Sequence, residues 1–332
     1  MPCVAFKAHS ILGARASPVP HRLPASASEF ASRMTLLNRN KPLPADLVIP
    51  VYNERPEALA ATISACSTQT YPVSKIFVID DASANLVSLP SLPISSAEIC
   101  LLRLSQNSGI SAARNAGIAQ SNATLLACVN TEVLPAPDWL QTCANYLSEH
   151  PRVGACYTRL IADRPNRVLS QWRMRFLETK FGEQSGAMPF APGHAVLFRK
   201  EALDAVGGYD LRYRLHNEDF EICQRLKKVG WETHYVAQSR CISVQEDSFK
   251  QLSVKSLRES HWYSPESSLL HLYGHLTKMT FIRSGRNFVM LRWHLLPIDL
   301  AIWGHGLWRA TISTLRSALS SDGHIAQGRP RA

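Results

Sequence analysis

The sequence has no cysteine pattern typical of a zinc site or a disulfide framework. Its eight cysteines include no Cys-x-x-Cys pair and no Cys/His ligand spacing. Scattered cysteines of this kind are typical of reduced thiols, so we expect a cytoplasmic protein rather than a secreted one. A long hydrophobic run is also missing. The best candidate, residues 295–308, is shorter than the roughly 20 apolar residues that span a bilayer and contains Asp299 and His305. We expect it to form a core or interfacial helix.

Acidic residues are scarce near the start of the chain. The formal net charge is +10, and the first 44 residues supply half of it, with six basic residues and one acidic residue. A basic protein can bind nucleic acid, an anionic membrane surface or a phosphorylated substrate. The sequence contains no recognisable nucleic-acid-binding motif. We therefore expect no nucleic-acid partner and keep the other two classes open.

Residues 1–44 are predicted to lie outside the folded domain. They are rich in Ala, Ser, Pro and Arg and show no period. This composition is typical of a disordered leader or an organelle transit peptide. In a second interpretation Met34 is the true start and the upstream residues are a mis-called start, because the residues after Met34 lead directly into the first predicted strand.

From residue 46 onward, strand and helix patterns alternate. Near-continuous apolar strands are predicted at 46–53, 75–83, 98–107 and 124–130, and helices at 56–70 and 110–121. This order predicts an α/β fold with a mainly parallel sheet covered by helices on both faces. The second half is more mixed, with strands or strand–helix joins at 153–161, 194–203 and 233–244 and a helix at 218–230. The proline-rich stretch 85–96 is predicted to be a loop, and the chain after Asp247 mainly helical.

Polar clusters follow the first two predicted strands. The first is the stretch IPVYNE, Ile49–Glu54, in which Asn53 could instead cap the next helix. The second is Asp80 and Asp81, two adjacent carboxylates that repel each other unless something binds them. A carboxylate at this place can bind the imide N–H of a uracil or thymine ring, or a ribose hydroxyl. A turn cap is the alternative.

Three further clusters carry candidate chemistry. Arg114 lies in a short helix after a glycine-containing turn, which suits a diphosphate, although an exposed Arg on an Ala-rich helix is the simpler interpretation. Asn130-Thr131-Glu132 ends a strand at the sheet edge where α/β proteins bind ligands. Glu218 and Asp219 lie in the first turn of a helix, where acidic residues are favoured for dipole reasons alone. Alternatively, Asp219 is a general base that the helix start keeps ionised.

In their order along the chain these segments resemble the family 2 glycosyltransferases of the GT-A fold. The matching stretches, between about residues 46 and 246, are LVIPVYNE, VIDDAS, NSGISAARNAG, NTEVLPAPDWL, GHAVLFRKEALDAVGGYD and NEDFEICQRLKKVGW. The resemblance implies a GT-A domain at 45–250, with a nucleotide-binding half at 45–140 and an acceptor half at 141–250. A helical C-terminal extension at 251–332 follows.

The resemblance also implies an activity: inverting transfer of a sugar from a nucleoside diphosphate sugar to a hydroxyl of a glycan, a lipid-linked acceptor or another acceptor. A bacterial role in cell-envelope polysaccharide biosynthesis is expected. Asp219 matches the catalytic base, and Glu218 would help to place the acceptor. The implied donor-binding residues are Pro50, Tyr52, Asn53, Glu54, Asp80, Asp81, Arg114, Asn130 and Thr131, with Arg114 facing the diphosphate. The implied acceptor-binding residues are Gly193, His194, His261 and Trp262.

The resemblance implies a divalent cation, Mg²⁺ or Mn²⁺, which would neutralise the leaving diphosphate. Glu132 and Asn130 match the Asp-x-Asp motif of the family. Asn130 replaces the first acid, and Gln245 lies near the place where many relatives carry a histidine. We expect metal binding to persist through Glu132, because the second acid is the main metal ligand in the family.

Two other functions compete with glycosyl transfer. A sugar-nucleotide nucleotidyltransferase would have a glycine-rich turn after the first strand, but PVYNERPEA has no glycine. A GT-A-fold binding module without activity is motivated by Asn130 and Gln245. Finally, the basic and aromatic residues 281–309 are a candidate for peripheral contact with an anionic membrane on its cytoplasmic face, or for an ordinary helical cap.

Overall fold

The computed structural model describes residues 43–89, 97–163, 167–181, 183–189, 192–215, 217–245, 248–253 and 269–325. Residues 1–42 of the predicted leader 1–44, and with them the alternative start at Met34, lie outside the described residues. The predicted acceptor residues His261 and Trp262 also lie outside them. So does most of the proline-rich stretch 85–96, of which residues 85–89 form neither helix nor strand.

The described residues form two compact units. The first contains those up to Asp163 together with those from Lys180 to Gln245. The second contains residues 167–179 together with the described residues after 247. The domain boundaries expected near 140 and 250 stay predictions.

The first unit is built on one sheet. Its strands are β1 Ala45–Val51, β2 Val73–Asp80, β3 Glu98–Arg103, β4 Leu125–Val129, β5 Val133–Pro135, β6 Val153–Ala162, β7 Gly186–Ala187, β8 Ala195–Arg199 and β9 Glu232–Ser243. The strand order is β3-β2-β1-β4-β8-β6-β9-β5, and β7 pairs with β9. Strands β1 to β4 pair in parallel, whereas β8 runs antiparallel to both β4 and β6. Strand β6 also pairs in parallel with β9, and the predicted α/β fold class is confirmed.

Helices connect these strands. They are α1 Pro56–Ser67, α2 Ile110–Gln120, α3 Trp139–Glu149, α4 Val168–Phe181, α5 Lys200–Val206 and α6 Glu218–Lys228, of which α4 continues from the second unit into the first. Helix α1 begins at Pro56 with Arg55 as its N-cap, so Asn53 is not the cap that one interpretation gave it. Proline is well placed at a first helical position because its missing N–H would have no partner there.

The core of the first unit explains the apolar strand pattern. Every residue of β1 and of β4 is buried, because helices cover the sheet on both sides. The main core cluster joins Leu47 and Ile49 of β1 with Trp139 and Leu140 of α3. The described cysteines are free thiols, and most of them are buried in this core. The sheet is therefore a rigid platform for the polar residues at its edge.

The second unit is helical among its described residues. Helix α7 Leu269–Val289 and helix α8 Leu296–Ile325 run antiparallel and are joined by a short 3₁₀ helix, Trp293–Leu295. Tyr273 contacts Thr311, and the Trp303 indole donates to the Thr277 hydroxyl at 3.1 Å. The predicted helical C-terminal region is confirmed in this part. No helix among the described residues has the length and apolar character needed to cross a bilayer.

Candidate functional site

The polar residues predicted to bind a ligand meet at one edge of the sheet. Strands β1, β2 and β4 are parallel neighbours, so their carboxyl ends lie side by side. In the register, Val51 of β1 stands opposite Asp80 of β2. The triplet 130–132 directly follows β4. Ligands of open α/β sheets bind outside the carboxyl ends of the strands, so this edge is the candidate site.

The turn after β1 is fastened to the turn after β2. The Asn53 backbone has a left-handed φ of 53°, and its N–H donates to the Ser83 hydroxyl at 2.8 Å. The Asn53 side-chain oxygen accepts from the N–H of Ala84 at 2.8 Å. Tyr52, beside it, is 49% exposed, whereas Pro50 is buried inside β1. Tyr52 is therefore available to a ligand, and Pro50 shapes the strand.

Asp80 and Asp81 are both buried and have separate partners. One Asp80 oxygen accepts from the Arg103 guanidinium at 2.5 Å, and the other accepts from the N–H of Ser83 at 2.9 Å. The Asp81 carboxylate accepts from the N–H groups of Ser108 and Gly109 at 2.7 and 2.8 Å. The expected repulsion between the two acids is thus offset, and both of them order the loops of the site.

The turn that Asp81 holds leads into helix α2. Gly109 has a φ of +92°, a conformation that glycine adopts without strain. An added Cβ at Gly109 would lie 2.5 Å from the carbonyl oxygen of Arg214, so this position also needs the absence of a side chain. The N–H of Ile110 donates to the same Arg214 carbonyl at 2.9 Å. The segments around residues 109 and 214, far apart in sequence, therefore form one wall.

Arg114 of α2 is the centre of a buried network. Its side chain is fully buried, and Nη1 donates to the Glu218 carboxylate at 2.8 Å. Nη2 donates to the Asn130 side-chain oxygen at 2.9 Å and to the Gly193 carbonyl at 2.8 Å. Its guanidinium also lies over the Tyr209 ring, 5.0 Å from the centroid. In this structure the residue predicted to face a diphosphate binds groups of the protein itself.

Asp219 lies beside this network, in the first turn of α6. One carboxylate oxygen accepts from the N–H of Gly193 at 2.9 Å, and the other accepts from the N–H of Phe220 at 2.8 Å. Burial raises the pKa of Asp219, and the charge of Glu218 adds to the rise, whereas the hydrogen bond from Gly193 opposes it. Burial, rather than the helix start, therefore dominates the pKa of Asp219. A carboxylate with a raised pKa is a better proton acceptor.

The triplet after β4 presents one carboxylate, that of Glu132, whose side chain is 25% exposed. Glu132 has a left-handed φ of 65°, and its carbonyl accepts from the N–H of Val244, next to Gln245. Its carboxylate accepts from the Arg55 guanidinium at 3.1 Å. Glu54 interacts with the Glu132 charge. The pKa of Glu54 is raised, chiefly by burial and also by the charge of Glu132, whereas a hydrogen bond with Thr131 opposes the rise. The charges of two carboxylates, Glu54 and Glu132, therefore interact at the sheet edge.

The donor set fits a divalent cation in part. Glu132 and Glu54 supply the hard oxygen atoms that Mg²⁺ and Mn²⁺ prefer, but the Asn130 oxygen is bonded to Arg114. No cluster of three or more His, Cys, Asp or Glu side chains suited to a metal ion occurs among the described residues. One or two carboxylates are enough for Mg²⁺ when substrate phosphates complete the coordination.

Gly193 and His194, the predicted acceptor residues within the described part of the chain, lie in the same region. The His194 carbonyl accepts from the N–H of Asn130 at 2.9 Å, which ties the 193–194 loop to the strand end. Sequence reasoning missed Arg103, Tyr209 and Arg214. Arg103 binds Asp80, Tyr209 lies under the Arg114 guanidinium, and the Arg214 carbonyl accepts from Ile110. Tyr209 lies in the stretch GGYD of the resemblance, but the pattern carried no sign that its ring would contact a buried arginine.

This architecture is that of the GT-A glycosyltransferases, as predicted. The chain is similar to the solved structure of the mannosyltransferase PcManGT from Pyrobaculum calidifontis, in complex with GDP-Man and Mn²⁺. The TM-score is 0.53 at 17% identity, over 91% of this chain and 87% of that one, which shows a shared fold.

Two family models then specify the family. One, described as "Glycosyl transferase family 2", matches residues 46–207, and another, described as "Glycosyl transferase family group 2", matches residues 127–320. The chain belongs to the family 2 glycosyltransferases, and the predicted resemblance is confirmed.

Relatives carry several transferase names. An N-acetylglucosaminyltransferase of Rhizobium meliloti (strain 1021) is 26% identical over 66% of this chain and 55% of its own length. A pre-mycofactocin glycosyltransferase of Mycobacterium tuberculosis (strain H37Rv) is 25% identical over 48% of this chain and 35% of its own. The chain spans about half the length of the N-acetylglucosaminyltransferase relatives that it matches.

Proposed function

We propose that the protein transfers a sugar from a nucleoside diphosphate sugar to a hydroxyl group, in one displacement that inverts the anomeric centre. Membership of the family supports this proposal. The observation that carries it is the Asp219 carboxylate, which two N–H groups hold in place beside the strand-end site. A base in this place suits removal of the acceptor proton during the displacement.

Asp219 acts as the base in this proposal, and Glu218 supports it. The bonds from Gly193 and Phe220 fix the direction of the Asp219 carboxylate. Its raised pKa keeps it a stronger proton acceptor than an exposed aspartate. Glu218 is held in place by its 2.8 Å ion pair with Arg114. We therefore assign Glu218 the positioning of this region, including the acceptor loop at Gly193 and His194.

The donor nucleotide lies at the carboxyl edge of β1, β2 and β4 in this proposal. Tyr52 and Glu54 would contact the nucleoside directly, and Asn53, Asp80 and Asp81 keep the surrounding turns in shape. Asn130 and Thr131 would contact the sugar or ribose. Arg114 acts from behind: its buried positive charge favours negative charge at the strand end, where the diphosphate would leave.

A divalent cation, Mg²⁺ or Mn²⁺, would be held by Glu132, with Glu54 beside it. When bound it would stabilise the negative charge of the leaving diphosphate. Arg55 shares the Glu132 carboxylate at 3.1 Å, but its side chain is 61% exposed and free to move toward solvent. The N-acetylglucosaminyltransferase relatives make a nucleoside diphosphate derivative of N-acetylglucosamine a candidate donor. A glycan or a lipid-linked sugar of the cell envelope is the expected acceptor class, and the cytoplasm the expected location.

A donor screen tests the proposal. The chain is incubated with UDP-, GDP- and dTDP-sugars and Mn²⁺, and release of the nucleoside diphosphate is measured with and without simple sugar acceptors. We expect release with one donor class, and a product whose anomeric configuration, read by NMR, is opposite to that of the donor. Retained configuration would refute the mechanism. Donor binding without turnover would favour the inactive binding module.

A further inference from the structure

The helical hairpin of the second unit carries an exposed apolar tip. We define the tip as residues 288–293, from the last two residues of α7 to the first residue of the 3₁₀ helix. Five of its six side chains are large and apolar and more than half exposed: Phe288 61%, Val289 80%, Met290 52%, Leu291 76% and Trp293 56%. Scattered exposed apolar residues are ordinary, but a continuous run marks a contact surface.

The tip has a defined structure. The N–H groups of Leu291 and Arg292 donate to the carbonyls of Phe288 and Asn287 at 3.1 and 2.8 Å. The rings of Phe288 and Trp293 stack with centroids 5.8 Å apart, and the Trp293 indole N–H donates to the Phe288 carbonyl at 3.2 Å. The N–H groups of Leu291 and Arg292 and the Trp293 indole are thus bonded within the turn, and the apolar side chains are exposed. Such a turn can enter an apolar phase without leaving these groups unbonded.

Exposed basic side chains lie on both helices of the hairpin, and Arg286 is the one next to the tip. Lys278 and Arg286 of α7 and Arg309 of α8 are exposed. Asp299 is buried, and its carboxylate accepts from the Trp172 indole at 2.8 Å and from the Asn287 amide at 2.6 Å. Asp299 therefore contributes no exposed negative charge near the tip. The exposed surface of the hairpin combines apolar, aromatic and basic groups, which is the composition of interfacial helices.

We propose that this hairpin tip docks on an anionic lipid bilayer, with its apolar side chains in the acyl boundary and Arg286, two residues before the tip, near the phosphates. The two features complement the two layers of such a surface: apolar side chains for the acyl region, and basic ones for the negative headgroups. A second copy of the chain fits less well, because a symmetric contact between two tips would bring basic residues close to basic residues. The proposal uses residues of the second unit and does not depend on glycosyl transfer.

Flotation with lipid vesicles tests this proposal on the full chain. Vesicles of phosphatidylcholine alone are compared with vesicles that also contain phosphatidylglycerol. We expect binding to the anionic vesicles. Replacing Val289 and Leu291 by Ser should weaken binding at least about tenfold, because two apolar side chains leave the lipid. The matched control, Leu86→Ser with Leu211→Ser, changes two leucines of the first unit that are 83% and 59% exposed, and binding should stay unchanged.

A charge series completes the test. Arg286→Gln should weaken binding about fivefold, whereas Lys228→Gln, on an exposed lysine of the first unit, should not. Equal binding of the wild type and the Val289/Leu291 variant would overturn the proposal. A wild type that binds no vesicles but forms a dimer, which the Val289/Leu291 variant abolishes in light scattering, would also overturn it. Circular dichroism and thermal unfolding of each variant show that it is folded.

Discussion

Replacement of Arg114 by Met tests the buried network most strongly. The Arg114 side chain is fully buried and that of Glu218 is 8% exposed, so the variant leaves a carboxylate in a site with little water. Removing one partner of a buried ion pair costs about 3–5 kcal/mol. The Asn130 and Gly193 oxygens also lose a donor, but their losses belong to the same network and do not simply add. We expect a loss near 4 kcal/mol, within about 1 kcal/mol.

A second variant separates charge from shape. Arg114→Met combined with Glu218→Gln removes both charges, so the buried unpaired carboxylate is no longer present. We expect the double variant to recover about 1–3 kcal/mol relative to Arg114→Met alone. The free energy of unfolding is measured by urea denaturation, with the slope m required to stay constant.

A surface pair provides the control. Lys200 and Asp204 form an ion pair at 2.6 Å within one helix, with the Asp204 side chain 58% exposed. Lys200→Met should cost no more than about 0.5 kcal/mol. If Arg114→Met cost as little as this control, Arg114 would not be the organising residue that its contacts indicate. No recovery in the double variant would show that the loss comes from packing rather than from the unpaired charge.

Three further predictions concern the rim of the site. Gly193→Ala places a Cβ 3.0 Å from an Arg114 nitrogen, so we expect the free energy of unfolding in urea to fall by about 1–3 kcal/mol. Turnover should also fall while donor binding stays normal. Unchanged stability and turnover would contradict the close approach of Gly193 to Arg114. The pKa of Glu54 is raised in the folded protein, so the neutral carboxyl group favours the folded state. This contribution to the free energy of unfolding is fully present below the unfolded pKa of about 4.3 and is lost as pH rises through the raised pKa. Glu54→Gln should therefore exceed the wild type in stability at pH 7 by less than about 1 kcal/mol and match it near pH 4; the reverse trend in a pH series of urea melts would refute this. Arg55→Ala frees the Glu132 carboxylate, so calorimetry should show that Mn²⁺ binds the donor complex up to about fivefold more tightly. Arg152, which pairs with Glu232 instead, provides the control, and Arg152→Ala should leave Mn²⁺ binding unchanged. Unchanged binding in Arg55→Ala would argue against Glu132 as a metal ligand.

The strand ends could be predicted because local patterns are enough for them. Apolar runs followed by polar residues placed Asn53, Asp80 and Asn130 at strand ends, and parallel pairing brings those ends to one edge. The family order of the segments added the fold class, which the comparison with PcManGT supports.

The partners of the site residues could not be predicted in the same way. Arg114 and Glu218 are 104 residues apart, and an Ala-rich helix gives no local sign that its arginine is buried. Likewise, the partners of Asp81 are backbone N–H groups of a loop 27 and 28 residues later. Contacts of this kind depend on tertiary packing, so the sequence could bring candidate residues to one edge of the sheet but could not give their partners.

Turnover of the Asp219→Asn variant tests the central claim most directly. The wild type, Asp219→Asn and the surface control Asp204→Asn are compared with the donor that the screen identifies, by calorimetry for donor binding and by nucleoside diphosphate release for turnover. The account predicts that Asp219→Asn binds the donor about as tightly as the wild type but turns over about 10²–10⁴-fold more slowly, while Asp204→Asn is unaffected. Wild-type turnover in Asp219→Asn would contradict the assignment of Asp219 as the base.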